Sequence, residues 1–253
     1  MADLQFFPLI IGLAFACELV DSALGMGYGT TLTPVLLILG YQPAEIVPAV
    51  LFSECITGFL AGIFHHEFGN VNLRPGSRDF KVTVMLSGMS VLGVVAAVLI
   101  AVRLPTWAVK LYVGVLVLAI GLALLWSRNR TFRFTWGRVA GLGALAAFNK
   151  GISGGGYGPV VTGGQVLSGV GARSAIGIAS LAESVASFAG VITYLVAGSA
   201  FPTLLTPSLL LGAVVSVPLA AFAVSRSREE SLTRAIGTIT TLLGGYTLYQ
   251  VLF

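Results

Sequence analysis

Charge is scarce in this chain. Of 253 residues only 9% are Asp, Glu, Lys or Arg, whereas a soluble domain carries about 25%. Ten acidic and 14 basic side chains are too few to coat a soluble globule of this size. That scarcity excludes a soluble enzyme, a disordered chain and a nucleic-acid binder. Cysteine is nearly absent: Cys17 and Cys55 lie inside apolar segments, are expected to be free thiols and enter no metal-ligand spacing. Histidine is limited to His65 and His66, expected at a solvated helix end. No nucleophile–base constellation stands out, so the reading is not an enzyme, with no cofactor and no metal site. Residues 1–3 carry no basic region, and no cleavable leader is expected.

Apolar residues make up 56% of the chain, and there are 32 glycines. Glycine is commoner in membrane helices than in soluble ones. A bilayer core takes about 20 apolar residues in a helix. Six runs are long enough: 46–64, 82–102, 104–126, 174–196, 204–224 and 232–253. Each ends at charge, proline or an aromatic. Trp107, Trp126 and Trp136 fall at segment ends, where interfacial anchors belong.

Two other stretches differ. Residues 6–24 lead into Gly25-Met26-Gly27-Tyr28-Gly29 and then 30–44; residues 139–152 lead into Gly154-Gly155-Gly156-Tyr157-Gly158 and then 159–172. The pieces 30–44, 139–149 and 159–172 are too short to cross a core about 30 Å thick at about 1.5 Å per residue. They are expected to be half-helices meeting at a glycine break. Such backbone is tolerated at membrane depth only where protein buries it or a wet cavity borders it.

The two stretches repeat. Sliding the sequence by 129 residues places Gly25, Gly27, Tyr28, Gly29, Thr33, Gly40, Glu54 and Phe59 on Gly154, Gly156, Tyr157, Gly158, Thr162, Gly169, Glu183 and Phe188, without a gap. The expected fold is therefore all-α and polytopic, a single transmembrane domain over 1–253. Repeat one covers about 1–126, a basic linker 127–132, and repeat two about 133–253. Each repeat holds a broken, re-entrant-like helical hairpin plus three transmembrane helices.

Basic residues set the orientation, because cytoplasmic loops are rich in Lys and Arg. If each broken hairpin enters and leaves on one side, one face collects Arg74, Arg78, Lys81, Arg128, Arg130, Arg133, Arg138, Arg173, Arg226, Arg228 and Arg234. The other keeps Arg103 and Lys110, and Lys150 stays within the membrane. Three crossings per repeat is an odd number, so the repeats are expected to be inverted. Loops 70–82, 127–138 and 226–234 are expected in the cytoplasm and both termini on the opposite side.

Ionisable groups inside a membrane are costly and by default mark a functional site. Here they are Glu18, Asp21, Glu54, Lys150 and Glu183. Glu54 and Glu183 are related by the repeat, and a carboxyl taken out of water can load and unload a proton. Glu54, Glu183 and Asp21 are the candidate proton-coupling residues, with a buried structural carboxyl as the alternative. Asp21 and Lys150 align with opposite sign and suit either an ion pair between hairpins or, for Lys150, a substrate contact. After each break a new helix presents unpaired N–H groups and a positive dipole end, which attract an anion. The candidate substrate-binding residues are Gly25, Met26, Gly27, Tyr28, Gly29, Thr30 and Thr31 at the first break, with Asn149, Lys150, Ser153, Gly154, Gly155, Gly156, Tyr157 and Gly158 at the second. Inverted repeats with paired breaks are a recurring plan of secondary transporters.

The motifs Asp21-Ser22-Ala23-Leu24-Gly25-Met26-Gly27-Tyr28-Gly29 and Asn149-Lys150-Gly151-Ile152-Ser153-Gly154-Gly155-Gly156-Tyr157-Gly158 resemble the paired signatures of the TauE/SafE sulfite exporter family. The resemblance extends over nearly the whole chain. It implies a secondary active transporter in a prokaryotic inner membrane, exporting sulfite, an organosulfonate or a related small sulfur-containing anion. A passive anion channel and a cation-coupled carrier are the alternatives. Expected partners are the anion, protons and the lipid bilayer, with no nucleic acid; a homodimer is the oligomer considered.

Overall fold

The computed structural model of the protein describes residues 7–101, 106–126, 133–153, 157–196 and 205–252. Among these residues every regular element is an α-helix: α1 (Pro8–Leu24), α2 (Tyr28–Ile38), α3 (Pro43–Glu67), α4 (Arg78–Ala101), α5 (Thr106–Trp126), α6 (Trp136–Ser153), α7 (Tyr157–Leu167), α8 (Ala172–Val196), α9 (Thr206–Arg226) and α10 (Glu229–Leu252). Three stretches are long and apolar enough to cross a membrane: Glu45–Glu67, Ala172–Val196 and Thr206–Arg226. Helices α4, α5 and α10 have 24, 21 and 24 residues. At about 1.5 Å per residue each also exceeds the hydrocarbon core. The chain is thus an all-helical, multi-pass membrane protein. The expected linker 127–132 lies outside the described residues.

Helix bounds repeat with the sequence. Helices α2 and α7 have 11 residues each, α3 and α8 have 25 each, and each pair begins 129 residues apart. Both short helices end in the same way, with Gly40 at φ 94° and Gly169 at φ 87°, a left-handed conformation that favours glycine. The half-helix lengths differ from expectation. Helix α6 starts at Trp136 and runs unbroken through Asn149 and Lys150 to Ser153. Its 18 residues, about 27 Å, nearly cross the core. The arms of each broken hairpin are therefore unequal, with a nearly full-length helix followed by one of about 16 Å. The short arms begin at Tyr28 and Tyr157, two residues before Thr30 and Pro159, where the new helices were expected to start.

Packing also follows the repeat. Helix α1 lies on α9 and its counterpart α6 on α4; α3 packs on α8 and α9, and α8 on α4; α5 pairs with α10. Small residues allow these approaches. A Cβ at Gly212 would sit 2.1 Å from the Ile11 carbonyl oxygen, and one at Gly121 would sit 2.5 Å from the Thr241 nitrogen. Each short helix is wrapped by its own apolar core. Leu32 and Leu36 of α2 pack with Ile10, Ala14, Ile46, Ala49, Leu209 and Ala213. Val160, Val161 and Val166 of α7 pack with residues of α4, α5, α8 and α10.

The basic loops meet at one end of the molecule. The Arg78 guanidinium lies 5.1 Å from the Phe134 ring centroid. Ser174 donates to Asp79 Oδ2 at 3.0 Å. Glu229 caps the start of α8, accepting the Ala172 N–H at 2.7 Å, and pairs with Arg173 at 3.9 Å. Arg173 also donates to the Ser227 carbonyl. The start of α1 lies elsewhere: the Phe7 N–H donates to Ser208 Oγ at 2.8 Å, at the opposite end of α9 from Arg226. Trp126, 92% exposed, and the exposed Trp136 sit at helix ends.

Candidate functional site

The first break forms because α1 cannot continue past Gly25. That glycine adopts φ 70° and returns its N–H to the Asp21 carbonyl at 2.6 Å. Helix α2 restarts at Tyr28, and the first N–H groups of any helix lack partners within it. Here the protein supplies them. The Tyr28 N–H donates to Asp21 Oδ1 at 3.0 Å, and the Gly29 N–H donates to Glu54 Oε1 at 3.1 Å. The Thr31 N–H and the Thr30 hydroxyl both turn to the Gly27 carbonyl, at 2.9 and 3.2 Å. Two carboxylates, one from α1 and one from α3, therefore sit on the positive end of α2, where a helix dipole favours negative charge. Gly29 makes room: a Cβ there would lie 2.7 Å from Glu54 Oε1.

A ring of hydroxyls surrounds these carboxylates. Glu54, 9% exposed, accepts at Oε2 from Ser187 of α8 at 3.2 Å. Glu18, 1% exposed, accepts from Ser22 at 2.6 Å and from Thr57 at 3.1 Å. The Tyr28 hydroxyl pairs with Ser53 Oγ at 2.9 Å. Asp21, Tyr28, Gly29 and Glu54 thus meet as one site, and Glu18 joins them. Glu18 was recognised in the sequence as intramembrane but given no role. Ser22, four residues on, was the available signal, since that spacing puts both on one helix face. Nothing in sequence spacing marks Thr57 or Ser187 as partners, because they arrive from α3 and α8.

The start of α7 packs onto the first break. A Cβ on Gly158 would sit 2.7 Å from the Gly25 carbonyl oxygen and 2.8 Å from Met26 Cα. The Thr162 hydroxyl donates to that same Gly25 carbonyl at 2.9 Å, and Thr240 donates to Met26 Sδ at 3.3 Å. Met26 is fully buried, and Tyr157 reaches Ser90 of α4 through its hydroxyl. Asn149, Lys150 and Ser153 occupy the last turns of α6; their side chains, and all of Gly154, Gly155 and Gly156, lie outside the described residues.

Glu183 is less enclosed than Glu54. It is half-buried on α8, beside Ser184, which donates across to the Cys55 carbonyl of α3 at 2.7 Å. His65 corrects an expectation. It is fully buried rather than solvated, with Nε2 2.8 Å from the Ser22 carbonyl oxygen and Nδ1 2.9 Å from Asn70 Nδ2. A carbonyl only accepts, so Nε2 carries the proton and Nδ1 accepts from Asn70. Asn70 donates in addition to the Ala221 carbonyl of α9 at 2.8 Å, tying the α3–α4 loop to repeat two.

Residues 9–247 match the family described as sulfite exporter TauE/SafE. The chain belongs to the TauE/SafE family. It is also similar to a Bacillus subtilis (strain 168) protein described as "Probable membrane transporter protein YtnM", with 26% identity over 245 residues, covering 91% of this chain and 79% of that protein. No solved structure matches the chain. As a TauE/SafE member the protein belongs to the membrane transporters, and the apolar helices with their enclosed carboxylates fit that class.

Proposed function

We propose that this TauE/SafE member is a secondary active transporter that exports a small sulfur-containing anion, sulfite or an organosulfonate, across a prokaryotic plasma membrane, coupled to protons. The observation that carries this reading is the capping of α2 by Asp21 and Glu54. An anion seeking the Tyr28 and Gly29 N–H groups competes with those carboxylates. Each N–H bond to a charged acceptor contributes about 1.5–3 kcal/mol. Protonating the carboxyls weakens their hold and yields the donors to the anion. Proton and anion binding are then linked, as coupling demands.

The inverted-repeat reading supplies the motion. It is supported by the placement of the hairpins: α1 starts at the end away from the basic loops, whereas α6 starts beside Phe134 and α8 follows α7 at Arg173. The hairpins would enter from opposite faces, with the basic face cytoplasmic, and meet at Gly25 and Gly158. Lys150, next to the second break, is the remaining candidate contact for substrate.

The test is calorimetry and thermal shift on purified protein with sulfite, sulfate, sulfonates, carboxylates and Na⁺, followed by flux into liposomes. Saturable binding of a sulfur anion that strengthens as pH falls is the expected result; no binding by any anion at any pH overturns the reading. One observation favours a second reading. Glu18, Asp21 and Glu54 gather with the hydroxyls of Ser22, Thr57 and Ser187, a set of hard oxygen donors. A thermal shift with Na⁺ alone, absent with K⁺, selects the cation-coupled carrier.

A further inference from the structure

Glu18 is the most enclosed carboxyl among the described residues, and neither Asp21 nor Glu54 explains it. It caps no helix end, and it accepts from two hydroxyls, Ser22 on α1 and Thr57 on α3. Counting hydrogens decides what those hydroxyls can do. The Thr57 hydroxyl has one hydrogen and two acceptors within reach, Glu18 Oε2 at 3.1 Å and the Ser53 carbonyl at 3.0 Å. If Glu18 is ionised, Thr57 and Ser22 both donate to it. If Glu18 carries a proton on Oε2, that proton points to Thr57 Oγ1, the Thr57 hydrogen swings to Ser53, and Ser22 still donates to Oε1. Both states are fully bonded, and they differ by the rotation of one O–H bond with no heavy atom displaced.

Glu54 is held differently, because it also caps a helix. One of its oxygens is held by the Gly29 N–H, a donor that cannot reverse, at the end of α2. Other acidic groups gather around Glu18. Asp21 and Cys17 share its helix, Tyr28 comes from α2 and Glu54 from α3. Helix α9 carries no titratable or charged side chain before Arg226, and α10 has only tyrosines beyond Arg234. Among the described side chains none forms an ion pair with Glu18, and that of Lys150 lies outside them. Neighbouring carboxyls in a dry site do not all ionise together, and a buried charge is costly without a partner.

We propose that Glu18 holds the transported proton in the state where Asp21 and Glu54 cap α2. Its hydroxyl cradle, Ser22 and Thr57, accommodates the loaded and unloaded carboxyl equally. Ser22 is in turn set by His65, whose Nε2–H bonds the Ser22 carbonyl; His65 is a positioning residue and relays nothing, since a carbonyl cannot pass a proton. The inference deepens the transporter reading and rests on it for its role in coupling, but the protonated carboxyl itself is observable without any substrate.

The experiment is infrared difference spectroscopy of the purified full-length protein across a pH titration. A band from a protonated carboxyl is expected near neutral pH. It should vanish in Glu18→Gln, persist in Glu54→Gln, and shift in frequency in Thr57→Val, where one hydroxyl partner is lost. An absent band in wild-type protein, or one that survives Glu18→Gln, overturns the proposal. Should Glu18→Gln fail to fold, an unshifted band in both Thr57→Val and Ser22→Ala overturns it equally. In liposomes Glu18→Gln should lose at least tenfold of the acceleration that a pH gradient gives to anion flux, and unchanged acceleration counts against it. A Glu18 band in a protein that transports none of the anions removes the exporter reading and leaves the proton site standing. Proton-driven anion flux with the band assigned elsewhere does the reverse.

Discussion

A single glycine sets how closely a carboxylate approaches the start of α2. Because a Cβ at Gly29 would lie 2.7 Å from the tip of Glu54, Gly29→Ala should displace that flexible side chain while leaving the backbone in place. The variant should fold, lose the Glu54 cap and bind the anion with a flatter pH dependence, read by calorimetry between acid and neutral pH. Glu54→Gln tests the same bond from the other side. Glutamine keeps the shape but cannot ionise, so binding should persist while its dependence on pH falls. Glu183→Gln, at the half-buried related position, should leave folding and affinity largely intact. If proton-driven flux keeps its wild-type pH dependence in both glutamine variants, the pair is structural.

Between elements, helices meet where glycine removes a side chain. At Gly158 the obstacle would be backbone, the Gly25 carbonyl and Met26 Cα. Gly158→Ala must therefore push the two breaks apart. Overpacking of this kind costs about 1–3 kcal/mol, which should appear as a clear drop in melting temperature together with weakened anion binding. Gly212→Ala, aimed at the Ile11 carbonyl across α1 and α9, should destabilise without a specific loss of binding. Gly88 is the control, since a Cβ there meets nothing within 4 Å. Alanine at that helix position should be neutral or stabilise by about 0.5–1 kcal/mol. Equal melting shifts for Gly88→Ala and Gly158→Ala would show that contact between the breaks does not govern stability.

At the scale of the whole molecule the prediction concerns sidedness. Gln42 and Gly171 occupy matching exposed positions just before α3 and α8. With Cys17 and Cys55 replaced, Gln42→Cys should react with a membrane-impermeant thiol reagent from outside the cell, and Gly171→Cys only after the cytoplasmic face is opened. Labelling of both from one side would show parallel repeats and would remove the opposed hairpins on which the proposed motion depends. The basic end offers a second reading of the same topology. Asp79, Arg173 and Glu229 bind the start of α8 to the loops before α4 and α10, so they belong on the face carrying Gly171.

Much of this architecture was legible in the residues themselves. Bilayer thickness fixes how long an apolar run must be, so six helices could be placed from composition alone, and the repeated Gly-x-Gly-Tyr-Gly pattern located the first break and the start of α7. Clustered arginines predict a common face because loop charge is a local property of the chain. The reach of α6 to Ser153 was not legible, since a helix continues for as long as neighbours bury its face, and that burial comes from α4. His65 was misplaced for the same reason: its burial depends on Ser22, Asn70 and α9, none of which periodicity brings near it. The sequence determined which acids lie inside apolar segments. Only tertiary structure decided their partners, because the bonds that distinguish Glu54 from Glu18 join α1, α2, α3 and α8, and a hydrogen bond depends on distances that chain order does not encode.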